Sequence, residues 1–273
     1  MRLLRFRSAA AFEAAAWSWM ADDERTNNLI LSRLHAARFN DEVRSWLVMD
    51  GDAPQLALLE TPLHLVLSGG SAQGAEFLAK NLEVEVRQIV GHAPVADAFA
   101  EHLYPKIGSV SMDMTFYTLD RVEPFRSPAG YMRAATHAEL DELAPPAVAA
   151  EREMHVVEQV PDPEAIESTL RQAIDDGRQF VWAEGSAIRA IASYVSPFKH
   201  AGARIRGVYT PPEFRGRGFG TAITGALAAR LLNGGQAWVA LFADNANPTS
   251  TGIYRRLGFQ PHSIFRTWRF ALQ

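Results

Sequence analysis

Val208-Tyr209-Thr210-Pro211-Pro212-Glu213-Phe214-Arg215-Gly216-Arg217-Gly218-Phe219-Gly220-Thr221 is the stretch on which the reading of this chain turns. An extended run ends at paired prolines, glycines then alternate with other residues, and an alanine- and leucine-rich segment continues to Leu232. That order reads as strand, loop and helix. Such a loop leaves several backbone N–H groups aimed at one place, and the helix N-terminus adds the positive end of its dipole. The combination is an anion site suited to a pyrophosphate.

Two common nucleotide loops do not fit. A Walker A loop needs a Gly-Lys pair, and the chain has none. A dinucleotide fingerprint spaces its glycines Gly-x-Gly-x-x-Gly and opens its domain. Here they fall at Gly216, Gly218 and Gly220, late in their lobe. What remains is Arg-x-x-Gly-x-Gly on Arg215, Gly218 and Gly220. Further on, Asn247-Pro248-Thr249-Ser250-Thr251-Gly252-Ile253-Tyr254-Arg255-Arg256-Leu257-Gly258-Phe259 reads Asn-x-x-Ser-x-x-x-Tyr-x-x-x-Gly-Phe. Asn247 suits a helix N-cap, Pro248 the first helical position and Gly258 the stop. Ser250 and Tyr254 are four apart and share a helix face.

The two motifs, in this order with the apolar strand Trp238–Phe242 between them, resemble the GNAT superfamily of N-acetyltransferases. The first is similar to its acyl-CoA loop, the second to the helix after its fifth strand. The resemblance covers Tyr131 to Phe270. Over its whole length the sequence is similar to two-lobed bacterial acetyltransferases whose first lobe is a GNAT-like copy without the CoA loop. Gly69-Gly70-Ser71-Ala72-Gln73-Gly74 stands where that loop belongs, with no arginine before the glycines.

The resemblance implies an α/β (α+β) fold of tandem GNAT-like lobes, each a mixed, mostly antiparallel twisted sheet flanked by helices. The lobes are expected over 1–124 and 130–273. It implies acetyl-CoA as acyl donor and a primary amine, on a small molecule or a protein, as acceptor. By the same resemblance, the backbone of Val208, Tyr209 and Thr210 bonds the pantetheine arm. The N–H groups of Arg215, Gly216, Arg217, Gly218, Phe219 and Gly220, with Thr221, hold the pyrophosphate. Asn247 and Ser250 contact the CoA arm or position their helix. Tyr254 donates a proton to the departing thiolate; an unperturbed phenol, at ~10, is protonated at neutral pH. The amine attacks the thioester directly, with backbone N–H groups stabilising the oxyanion.

The base is not legible. An alkyl amine must lose a proton before attack, and the strand Arg204 to Thr210 carries no carboxylate. Glu151, Glu153, His155, Glu184, His200 and a water relay are the candidates. A second reading is therefore a non-catalytic acyl-CoA-binding sensor or scaffold. A third, an aminoacyl-tRNA-dependent transferase, is opposed by the intact loop and the acidic balance.

Before the link Pro124 to Gly130 the pattern gives strand, two helices, three short strands, helix, strand, helix and strand; after it the same order restarts. The expectation is a structural duplication in which the first lobe packs its sheet against the second and shapes the acceptor pocket. In the second lobe, Glu139–Glu153 reads as a helix interrupted at Pro145-Pro146.

The 273 residues are 48% apolar and 21% charged with a formal charge of −4, a globular balance without a basic field for nucleic acid. The lack of cysteine excludes disulfides, thiol nucleophiles and Cys-ligated metal. No His-x-x-x-His pair with a nearby acid occurs, so no metal is expected. The basic start, Met1 to Arg7, runs into an Ala/Trp stretch broken by Glu13 and followed by Asp22-Asp23-Glu24, unlike a signal peptide. No run approaches the ~18 apolar residues of a membrane span. A cytoplasmic monomer or homodimer, without membrane contact, is expected.

Overall fold

The computed structural model describes residues 1–37, 43–62, 64–103, 108–154, 162–196 and 202–271. The element order runs twice. The first pass is β1 (Arg2–Phe6), α1 (Ala9–Asp22), α2 (Glu24–Ala37), β2 (Ser45–Asp50), β3 (Ala53–Glu60), β4 (Leu65–Leu67), α3 (Ala72–Asn81), β5 (Gln88–His92), α4 (Ala93–Leu103) and β6 (Gly108–Leu119). The second is β7 (Tyr131–Ala134), α5 (Leu140–Met154), α6 (Pro163–Asp175), β8 (Gln179–Glu184), β9 (Ala187–Val195), β10 (Gly202–Tyr209), α7 (Phe219–Asn233), β11 (Trp238–Asp244), α8 (Pro248–Arg256) and β12 (Gln260–Phe270).

All the strands form one 12-stranded sheet in the order β1-β2-β3-β4-β5-β12-β6-β11-β10-β9-β8-β7. The pairings are antiparallel except β4 with β5 and β10 with β11, which occupy the same place in each pass. The last strand of each pass crosses over. β12 lies between β5 and β6, and β6 pairs on its other edge with β11, Val239 opposite Leu119 through Asp244 opposite Met114. The lobes are thus joined edge to edge in one continuous sheet. Main-chain ladder bonds and a shared apolar cluster make the seam.

Alternation along the strands sorts the helices onto two faces. Leu47, Met49, Ala57 and Leu59 pack under α1 and α2, in a cluster that reaches across the seam to Trp238 and Ala240. Their neighbours Trp46, Val48, Leu56 and Leu58 pack under α3 and α4. In the second pass Val181, Ile191 and Tyr209 face α5 and α6. Phe180, Trp182, Ala203, Ile205, Val239 and Leu241 face α7 and α8. Helices α1, α2, α5 and α6 therefore share the front of the sheet, and α3, α4, α7 and α8 the back. β8 is buried on both sides, which is why Phe180-Val181-Trp182-Ala183 is apolar without a break.

The expected interruption at Pro145-Pro146 does not occur, and α5 runs through both. The carbonyls that lose their donors are those of Asp141 and Glu142, two exposed residues that water can serve.

Candidate functional site

β10 and β11 begin as partners and then part. Gly202, Ala203 and Arg204 lie opposite Trp238, Val239 and Ala240, and no pair joins the two strands beyond that point. β11 continues along β6 to Asp244, while β10 stays with β9 to Tyr209. A wedge opens between them. On its β10 side the ladder to β9 is bulged between Arg206 and Tyr209, so Gly207 and Val208 fall outside the register. Gly207 has φ +59, a left-handed conformation that glycine adopts without strain. This residue was missed in the sequence, although a glycine within Ile205-Arg206-Gly207-Val208-Tyr209 is the usual sign of a bulge.

The loop stands at the open end of the wedge. A short 3-10 turn, Pro212–Phe214, follows β10, and Gly216 and Gly218 take φ +77 and +86. Those left-handed turns swing the chain into α7 with Gly218 as N-cap. The Arg215 N–H, expected among the pyrophosphate donors, is instead spent on the Pro212 carbonyl at 3.2 Å, closing the short turn. Among the described residues, the N–H groups of Gly216, Arg217, Gly218, Phe219, Gly220 and Thr221 have no protein acceptor; the next bond of this stretch is Ala222 N–H to the Gly218 carbonyl. A methyl group on Gly220 would lie 3.4 Å from Thr210 Oγ1 and 3.9 Å from Ile253 Cδ1. Strand end, loop and α8 therefore converge.

The loop is tied to the front of the sheet. Arg215 donates through Nε to the Thr210 carbonyl at 3.0 Å and through Nη2 to both oxygens of Glu153, at 2.8 and 2.7 Å. Tyr209 donates its hydroxyl to the same carboxylate at 3.1 Å, and Arg215 lies over the Tyr209 ring. Burial and this carboxylate hold the Tyr209 phenol above its usual range.

On the back of the sheet Tyr254 is 8% exposed, in one apolar cluster with Phe219, Ile205 and, partly buried, Val208. Its ring stands 6.5 Å from Tyr117 and 6.0 Å from Phe259. Among the described residues its hydroxyl has no hydrogen-bond partner, and burial pushes its pKa up to about 12. Asn247 caps α8, its Oδ1 accepting from the Ser250 N–H at 3.2 Å. Asn247 is exposed and Ser250 half-buried on that first turn. Of the suggested bases, Glu153 is held by Arg215, Glu184 by Arg189 at 2.9 Å, and Glu151 lies 3.6 Å from Arg206. His155 and His200 lie outside the described residues.

The equivalent place in the first lobe is closed. Gly69 N–H donates to Asn27 Oδ1, Ser71 N–H to the Gln55 carbonyl and Gly74 N–H to Ser71 Oγ. β4 and β5 approach so closely that a methyl group on Gly91 would lie 2.8 Å from Leu67 Cβ. The amides of Gly69, Ser71 and Gly74 are thus spent on the protein itself.

No helix among the described residues is long and apolar enough to cross a membrane.

A family model described as FR47-like protein matches residues 186–268, from β9 into β12. Among solved structures, the whole chain superposes on the whole of a GNAT-family acetyltransferase from Colwellia psychrerythraea with a TM-score of 0.67 at 11% identity. A GCN5-related N-acetyltransferase from Sphaerobacter thermophilus gives 0.62 at 14% identity, over 98% of this chain and 95% of that one. A tandem GNAT protein from the clavulanic acid biosynthesis pathway gives 0.58 at 16% identity, over 98% of each. At these identities the likeness is one of fold. No curated protein matches the chain significantly in sequence. Read together, residues 186–268 are FR47-like in sequence, and the chain as a whole has the fold of these GNAT structures, the tandem protein among them.

Proposed function

We propose that the protein transfers an acetyl group from acetyl-CoA to a primary amine, in the lobe formed by residues 130–273, with residues 1–124 as a non-catalytic partner lobe. The observation that carries this reading is the row of unspent amides from Gly216 to Thr221 at the mouth of the β10/β11 wedge. Backbone donors at a helix N-terminus fit a pyrophosphate without any charged side chain. The wedge fits an extended amide-bearing arm, which Val208, Tyr209 and Thr210 bond through their main chain. Asn247 and Ser250 act by fixing the start of α8 alongside it.

Acetyl-CoA supplies an activated acyl carbon and a sulfur leaving group. The chain's own part is placement and protons. The out-of-register amides at Gly207 and Val208 face developing negative charge on the acyl oxygen. Tyr254, a phenol kept protonated by burial, holds the proton that the leaving sulfur takes. The acceptor nitrogen sheds its proton to water, since the described carboxylates near the bulge each have a cationic neighbour. That last feature also favours a second reading, an acyl-CoA-binding module without turnover.

A thiol-release assay with acetyl-CoA against an amine panel tests the proposal. Release of free CoA that depends on an amine, with the acetylated amine recovered, is expected. Calorimetric binding of CoA without transfer to any amine supports the module instead.

A further inference from the structure

The front of the sheet holds a cavity of about 600 Å³ between the two lobes, lined by α2 of the first and by α5, α6, β8, β9 and β10 of the second. Gly207, the bulge residue, is in its wall. We propose that this cavity takes the acceptor, and that the acceptor is an amine carrying a carboxylate or another anionic group, held by Arg33 and Arg206. The inference rests on the transferase reading and adds a substrate class to it.

The charge of the wall is the argument. Arg33, Arg178 and Arg206 line the cavity, and Glu151 is the carboxylate among the described lining residues. Arg178 is satisfied by Asp176. Arg206 has Glu151 at 3.6 Å, a distance that leaves its fork largely free for a second anion. Arg33, from the opposite lobe, lies within hydrogen-bond or ion-pair distance of no partner among the described residues; Glu151 favours its charge from farther off, while Arg206 opposes it. Behind them stands Arg204. Its Nε donates to Asn28 Oδ1 at 2.9 Å and its guanidinium lies 5.4 Å from the Phe242 ring centroid; neither neutralises it. Burial first, and then the like charges of Arg206 and Arg33, hold the Arg204 guanidinium below its ordinary value. A guanidinium cannot relieve this by losing its proton, so a bound anion is the available relief.

The geometry also sets a direction. Arg206 precedes the bulge by one residue, so an acceptor with its amine at Gly207 reaches the arginines with its far end. The first lobe contributes Arg33 because its α2 leans over β10 and β11. Glu24 accepts the Gly202 N–H at 3.2 Å, Asn28 holds Arg204, and Arg25 stacks on Trp238.

The test uses the full-length protein and acetyl-CoA with ω-amino acids from glycine to 6-aminohexanoate, each against the alkylamine of equal length. For at least one length the acid is expected to exceed the amine in kcat/KM by about tenfold or more. Arg33→Gln and Arg206→Gln should each collapse that ratio. Alkylamines that match or beat the acids at every length, or a preference that survives both substitutions, overturn the inference. Calorimetry with the acids alone, without CoA, separates it from the transferase reading. Binding that Arg33→Gln abolishes, in a protein that acetylates nothing, upholds the anion site and removes the transferase. Transfer without any preference for acids does the reverse.

Discussion

Arg215, in the loop that opens α7, grips both oxygens of Glu153 at the end of α5, a contact between residues 62 apart in the chain. The pair is half exposed, so its worth is modest, about 1 kcal/mol or less. Its consequence is positional: it fixes the loop's first residue against the front of the sheet while the following amides stay open. Glu153→Gln should weaken CoA binding about two- to fivefold by calorimetry, with the loss largest at low salt. Tighter binding would mean that Arg215, once released, meets the phosphates itself.

Tyr254→Phe is expected to lower kcat about 100-fold, the scale of a lost general acid, while CoA affinity holds. The pH profile gives an independent check. A phenol raised to about 12 is a proton donor throughout the working range, because the acid form persists below the pKa. kcat/KM should therefore climb with pH as the acceptor amine, at ~10, loses its proton. It should show no falling limb below pH 10. A decline near pH 9 would take the donor role from Tyr254.

Gly218 carries φ +86 and its side of the backbone is open, with only Pro128 Cδ at 3.9 Å from an added methyl. Any cost of Gly218→Ala is thus conformational and not steric crowding. Forcing an L-residue left-handed costs about 1–2 kcal/mol. Thermal melting should show that loss. The relaxed loop should also bind CoA at least about tenfold more weakly, because its amides no longer converge. A stable variant with full affinity would show that the amides of this turn are not the anion site.

Much of this was readable from local pattern. The glycines at 216 and 218 announce left-handed turns, Asn247-Pro248 announces a capped helix, and the repeated element order announces two passes. What could not be read is what the chain does with distant partners. Nothing local in Gly108–Leu119 says that it will pair with Trp238–Asp244, because alternation fixes a strand's faces and not its neighbour. For the same reason nothing local marks Arg33 and Asn28, and only the edge-to-edge joining of the lobes brings them to Arg204 and Arg206. Glu153 was legible as a carboxylate near the site, but its role could not be inferred without the position of Arg215.

Because β6 sits between β11 and β12, a fragment of residues 125–273 lacks the strand that both of them need. It keeps the loop, α7, α8 and Tyr254, yet it bares the long edges of β11 and β12 and uncovers the apolar face of Trp238, Ala240 and Phe265 that the first lobe buries. Unpaired edges of that length associate. Expressed alone, the fragment should be insoluble or elute as aggregates. Co-expression with residues 1–124 should restore a soluble complex that binds CoA, since the exchanged strands can pair across a chain break. A monomeric, folded and active 125–273 fragment would show that the second lobe needs no strand from the first, and that the crossing of β6 and β12 is incidental to the site.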